Sequence, residues 1–134
     1  MNSRPGSAVQ APPAQFNFAG HLFAINAGRP QKDAYLDDAG RITYGQLEER
    51  ARRCAAALVA AGLRREERVL LLMHDTTDWP VAFLGALYAG VVPVAVNTLL
   101  TADDYAFMLA HSRAQAALVS APLLPVLPAA PAQG

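Results

Sequence analysis

Lysine is almost missing from this chain of 134 residues: ten arginines stand beside a single lysine, Lys32. Chemistry that needs a lysine ammonium at a phosphoryl or acyl centre has no candidate beyond position 32. Cysteine is equally scarce. Cys54 alone permits no internal disulfide and no cysteine-based metal cluster, which fits a reducing cytoplasm. No apolar run approaches the roughly 18 residues that span a bilayer. The opening MNSRPGSAVQAPPAQ has no apolar core of a secretory signal, so the expectation is a disordered leader over residues 1–15 of a cytoplasmic protein. Net charge is absent too. Eleven basic and eleven acidic residues cancel, so no long-range field draws the chain to nucleic acid or to an anionic membrane, and neither is an expected partner.

What is present describes a globular domain: 53% of residues are hydrophobic and 16% charged. The length suffices for one real core. After a helical stretch around residues 16–30, AYLDD and RITY flank Ala39-Gly40, which reads as a small hairpin. Thr43 and Gln46 have the spacing of a capping box and should start a helix. Leu47, Ala51, Cys54 and Leu58 give that helix an apolar face, Glu48/Arg52 and Glu49/Arg53 are four-apart pairs on its outer face, and Gly62 ends it.

RVLLLM (68–73) is an unbroken apolar run, as expected of a parallel strand covered on both faces. Thr77 or Asp78 should cap a helix with Pro80 in its first turn, running to Gly90. VVPVAV (91–96) reads as the next strand. Thr101, followed by Asp103 and Asp104, opens a third helix at its positive end, and AALVS (116–120) reads as a last strand. Alternating strand and helix implies an α/β fold with a mainly parallel, partly doubly wound sheet and flanking helices. From Pro122 onward the chain reads as a Pro/Ala-rich tail over 121–134 with no further element. Pro122, Pro125, Pro128 and Pro131 recur at the period of a polyproline II helix, which suits a stiff linker or a recognition peptide.

Gly85 and Gly90 in GALYAG have the spacing of a phosphate-binding loop, but Val91 and Val92 stand where Lys and Ser/Thr would be required. The segment also runs helix to strand, opposite to the order that points a helix N-terminus at an anion. Gly90 is therefore expected to be the left-handed residue that stops the helix.

The stretch from Ile42 to Ser120 resembles the N-terminal part of the AMP-forming acyl- and aryl-CoA synthetases, the adenylate-forming superfamily. Ile42-Thr43-Tyr44-Gly45-Gln46-Leu47 resembles its first core motif, with Gln46 for the common Glu. Leu87-Tyr88-Ala89-Gly90-Val91-Val92-Pro93 with Asn97 resembles the second, with Ala95 where Pro is frequent. Residues 16–38 and 81–109 are most similar to the benzoate-CoA ligases, and the whole resemblance covers about residues 16–120. It implies the N-terminal subdomain of the adenylate-forming fold, and a full-length enzyme that uses ATP, Mg²⁺ and CoA to turn an aromatic acid into an acyl-adenylate and then a thioester. It further implies that the Ser/Thr/Gly-rich loop ending in Pro-Lys, the ribose-binding Asp, the metal Glu and the C-terminal catalytic Lys are not encoded in these residues. The packing partners of this region would be missing as well, leaving an apolar edge or face open.

No residue emerges from this reading as catalytic, cofactor-binding or metal-ligating. His74 and Asp75 follow the RVLLLM strand at the edge where α/β sheets bind ligands, yet no nucleophile accompanies them in sequence. His21 and His111 have no second ligand at a metal spacing. Cys54 lies on an apolar face, where thiols are inert. Asn97 and Thr98 suit a turn. Arg50, Arg52, Arg53, Arg64, Arg65 and Arg68 alternate with Glu48, Glu49, Glu66 and Glu67 as on a solvated helix face, and Trp79 and Phe83 sit four apart as in a core. The expectation is a truncated benzoate-CoA ligase-like segment, inactive by itself, needing no cofactor alone, and partnered by the remainder of the ligase or by a copy of itself. A non-enzymatic scaffold domain, one half of a split ligase and a small Rossmann-type nucleotide sensor are the competing readings; the last lacks a G-x-G-x-x-G after a strand.

Overall fold

The computed structural model describes residue 6 and residues 8–128. Part of the expected leader and the last six residues, Pro131 among them, lie outside the described residues. Residues 8–15 enter no helix or strand and are all exposed.

Helix α1 (Phe18–Asn26) begins at Asn17, whose carboxamide oxygen accepts the Gly20 N–H at 3.0 Å and whose Nδ2 donates to Leu87 O at 2.8 Å, tying the helix start to the end of a helix 70 residues on. Strands β1 (Asp33–Asp37) and β2 (Gly40–Thr43) form the antiparallel hairpin expected around Ala39-Gly40. Helix α2 (Tyr44–Ala60) opens on the capping box foreseen from Thr43 and Gln46, with both reciprocal bonds made. Its outer face carries the two foreseen ion pairs, Glu48–Arg52 and Glu49–Arg53, each 2.7 Å.

Strand β3 (Arg68–Leu72), helix α3 (Asp78–Tyr88), strand β4 (Val92–Ala95), helix α4 (Ala102–Ser112) and strand β5 (Ala114–Val119) complete the alternation. The three strands form one parallel sheet in the order β4-β3-β5. The chain steps from β3 outward to β4 and then back across β3 to β5. Right-handed crossovers in opposite directions place α3 and α4 on opposite faces, which is the doubly wound arrangement. Central β3 is the buried strand its composition requires: Val69, Leu70, Leu71 and Leu72 have no exposed surface. Burial of each such side chain stabilises by about 1.5–3 kcal/mol.

Val69 and Leu71 face a core completed by Leu58, Leu63, Ala82 and Ala86. A second core, with Phe23, Ile42, Leu47 and Leu84, joins α1 and the hairpin to the outer side of α2 and α3. Phe83 touches both cores and stacks on Trp79 at 5.0 Å, so this aromatic pair is structural packing.

Gly90 has φ 76, the left-handed exit foreseen for α3, and its N–H donates to Leu87 O. Helix α4 ends differently. Arg113 takes the left-handed position at φ 53, where a side chain costs roughly 1–2 kcal/mol. Arg68 departs from the solvated-face expectation: its guanidinium donates to Ser112 O at 2.6 Å and to Glu66 O at 3.1 Å, clamping the end of α4 to the start of β3. A cation there also meets the negative end of the α4 dipole.

The tail differs from expectation as well. Ala121–Val126 is a 3₁₀ helix, not polyproline II. Both have about three residues per turn and accept a proline φ near −65°, so proline spacing alone does not separate them. Packing does: Leu123, Val126 and Leu127 are half-buried, which holds the tighter helix against the domain.

Candidate functional site at the carboxyl edge of the sheet

Open α/β sheets bind ligands beyond the carboxyl ends of their strands, near the point where strand order reverses. Here that edge is built from residues 73–77 after β3, residues 96–101 after β4, and Ser120 after β5. The Ser120 N–H donates to Leu72 O at 3.0 Å and its hydroxyl accepts the His74 N–H at 2.9 Å, so two strand ends are sewn together. His74 and Asp75 are exposed above this stitch.

The N-terminus of α3 faces the same edge. Thr77 is its cap residue but has helical angles, φ −61 and ψ −18, and its side chain makes no capping bond. The expectation that Thr77 or Asp78 caps α3 is thereby overturned. The cap comes from the hairpin: Asp37 Oδ2 accepts the Thr77 N–H at 2.8 Å while Oδ1 accepts the Ala39 and Gly40 N–H groups at 2.9 Å each. Sequence reasoning missed Asp37. The available signal was its place at the start of a tight turn, where an aspartate accepts from N–H groups two and three residues on and keeps one oxygen free.

Donation from the Thr77 N–H, aided by Ala39 and Gly40, holds the Asp37 carboxyl below its ordinary value of 3.8 against the opposing pull of burial. Asp104 is lowered likewise, first by the Thr101 N–H and then by its hydroxyl, within the second capping box of the chain. Because both folded-state values lie below the unfolded ones, their contribution is fully present above about pH 4 and is lost as pH falls through the folded values. Urea midpoints should therefore be level between pH 7 and 5 and drop below about pH 4. In the Asp37→Asn/Asp104→Asn double variant that drop should shrink. An unchanged acid profile would show that other groups control it.

After β4, Asn97 Oδ1 accepts the Leu99 N–H at 2.8 Å, as in a turn. Tyr105, fully buried on α4, donates its hydroxyl to Asn97 O at 2.7 Å and accepts from the Leu100 N–H at 3.1 Å. One phenol thus sets the shape of the loop beside Thr98. Tyr105 was not singled out from the sequence either, since a tyrosine at a helical core spacing carries no mark of the loop it holds.

A triphosphate does not fit these residues. The N–H at the start of α3 that would greet an anion is already bonded to a carboxylate, and Asp75 and Asp78 stand on either side of it in sequence. Among the described residues no three His, Cys, Asp or Glu side chains come together as a metal site.

The remaining candidates are scattered. Burial pushes the Cys54 thiol above its ordinary 9.0, away from thiolate character. His21 packs on Phe16 and His111 stacks on Phe107, both on exposed helix faces. A cleft of about 110 Å³ opens between Phe23, Asn26, Tyr44 and Glu48, and a shallower one lies beside Arg52, Val59 and Tyr88; both are remote from the sheet edge in sequence and in fold. No helix among the described residues is long and apolar enough to cross a membrane.

Known proteins share part of this sequence and its architecture. The family described as AMP-binding enzyme matches residues 22–133. Benzoate–CoA ligase of Thauera aromatica is 48% identical over 117 residues, which are 85% of this chain and 22% of that protein. The 4-hydroxybenzoate–CoA/benzoate–CoA ligase of Rhodopseudomonas palustris is 40% identical over 77% of this chain and 19% of that protein. The crystal structure of a benzoate CoA ligase from Burkholderia xenovorans LB400 superposes with a TM-score of 0.82 at 59% identity, over 83% of this chain and 23% of that one. The anthranilate CoA ligase AuaEII, solved with anthranoyl-AMP, also gives 0.82, at 30% identity over 86% and 22%. This chain belongs to the AMP-binding enzyme family and spans about a fifth of the length of the curated relatives it matches.

Proposed function

We propose that the chain is the N-terminal segment of an aryl-acid CoA ligase of the benzoate class. The complete enzyme would activate an aromatic carboxylic acid with ATP and Mg²⁺ and pass the acyl group to CoA. The observation that carries the substrate class is the identity to benzoate-activating relatives, 48% and 59%, against 37% to the long-chain-fatty-acid–CoA ligase FadD13 of Mycobacterium tuberculosis.

Within that enzyme these residues supply scaffold: a doubly wound sheet whose carboxyl edge is shaped by Asp37, Ser120 and Tyr105. Neutralising the charge that develops on a phosphate requires donors or cations aimed at it. At this edge Asp37 caps the start of α3, Thr101 and Asp104 cap that of α4, and the sequence holds no lysine after Lys32. The chemistry therefore falls to residues outside this stretch.

The purified chain, given benzoate, ATP, Mg²⁺ and CoA, is expected to form no benzoyl-CoA above the enzyme-free rate. Formation of the thioester by the chain alone would overturn this assignment. The same assay repeated with the complementary portion of a benzoate ligase present should show turnover.

A further inference from the structure

Residues 74–77, between β3 and α3, bury almost nothing of their own. His74, Asp75 and Thr76 are exposed and Thr77 is half-buried, whereas Met73 just before them packs on the core around Leu71. Without a buried side chain, the shape of this segment depends on its hydrogen bonds. One of them, from the Thr76 N–H to His74 O at 2.8 Å, is internal. Two others leave the segment, one at each end: the His74 N–H donates to Ser120 Oγ at 2.9 Å and the Thr77 N–H to Asp37 Oδ2 at 2.8 Å. These anchors stand 46 residues after His74 and 40 residues before Thr77.

Helix α3 replaces neither anchor. Its Asp78 N–H reaches Thr76 Oγ1 at 3.3 Å, its Trp79 N–H takes Thr76 O at 3.0 Å, and Pro80 has no N–H. The opening donors of the helix thus turn back on Thr76, inside the same segment, and move with it. At the other end the anchor is itself shared. A single carboxylate holds Thr77 through Oδ2 and the Ala39 and Gly40 N–H groups through Oδ1, and a two-stranded hairpin is marginal without such support. Groups joined in one hydrogen-bond network do not respond independently.

We propose that residues 74–77 form a strap, fastened by Ser120 at one end and by Asp37 at the other, which opens and closes as one unit with the turn of the β1–β2 hairpin. An ordinary helix cap would steady Thr77 alone. The strap carries His74 and Asp75 on the carboxyl edge of the sheet, so the hairpin sets the stiffness of that edge through one carboxylate.

The test is amide hydrogen exchange of the full chain in rising concentrations of urea below the unfolding transition. His74, Thr77, Ala39 and Gly40 should share one opening with a common urea slope, at a lower cost than the opening of Leu70 and Leu71 in β3. Slopes that differ between the hairpin pair and the strap pair overturn the proposal. Two variants then cut the fastenings one at a time. Asp37→Ala should speed Thr77 and Gly40 about tenfold and also His74 by at least about threefold, although Ser120 is untouched. Ser120→Ala should do the converse, speeding His74 about tenfold and Thr77 and Gly40 by at least about threefold. Acceleration confined to residues whose own partner was removed would show two independent caps and no strap. Leu70 and Leu71 report whether each variant is folded; where they lose protection, the urea slopes of the parent chain decide.

Discussion

Gly85→Val should leave this chain unfolded or insoluble, and Gly85→Ala should lower its unfolding free energy by about 1–3 kcal/mol. The position is the closest approach of α3 to α2. A Cβ placed there would stand 2.7 Å from Cys54 Cβ, 2.9 Å from Ala51 O and 2.9 Å from Cys54 Sγ. Two of those atoms belong to the half-buried Cys54, whose Cβ is fixed to the α2 backbone, and the third is helix backbone. Alanine normally improves a helix interior by up to about 1 kcal/mol over glycine, so a net loss would isolate the steric term. Helices in contact lie 8–10 Å apart according to the side chains between them, and here glycine sets the near limit. Gly28→Ala serves as the control, since nothing lies within 4 Å of its added carbon. Cys54→Ala should not rescue Gly85→Ala, because the offending Cβ remains. Cys54→Gly should recover part of the loss, leaving the Ala51 oxygen as the residual obstacle. Urea unfolding of the five proteins decides the matter, and equal midpoints for Gly85→Ala and Gly28→Ala would show that α2 and α3 can separate at no cost.

That crowding also explains the spacing that first suggested a phosphate loop. Gly85 is required by helix packing and Gly90 by a left-handed turn, two unrelated demands that happen to fall five residues apart. The alternation of strands and helices was legible because each signal is local: an unbroken apolar run for β3, a capping box for α2, carboxylates at the start of α4, and a glycine at the end of α3. What stayed hidden was long-range. Asp37 caps a helix 40 residues away, and Arg68 reaches 44 residues to Ser112. No periodicity announces either contact, since a polar residue in a turn looks the same whether its free oxygen meets water or a distant N–H. The 3₁₀ tail failed for a different reason, a period shared by two conformations. The family resemblance succeeded because it draws on about a hundred positions at once, and the comparisons bear it out; a residue's role within the site has no such redundancy.

Removing the Tyr105 hydroxyl should loosen the carboxyl edge without dismantling the fold. Tyr105→Phe keeps the ring in a fully buried position but strands the Leu100 N–H and the Asn97 carbonyl, which the hydroxyl now joins at 3.1 and 2.7 Å. Loss of one shared partner by two half-enclosed groups costs about 1–2 kcal/mol. Tyr105→Ala removes the ring as well and should cost about 3–5 kcal/mol, as large aromatic truncations do. The two variants separate anchoring from packing. If the phenol holds the loop, Tyr105→Phe will speed amide exchange at Leu99 and Leu100 while β3 remains as protected as before, and Tyr105→Ala will weaken both. Tyr35→Phe, at an exposed hairpin tyrosine, should change neither. Should Leu99 and Leu100 exchange at unaltered rates in Tyr105→Phe, the Asn97 carboxamide bond to the Leu99 N–H would suffice to shape the turn, and Tyr105 would be a core residue only. The loop lies on the edge where sheets of this kind meet their ligands, so its stiffness determines whether that edge is held in shape before a ligand arrives.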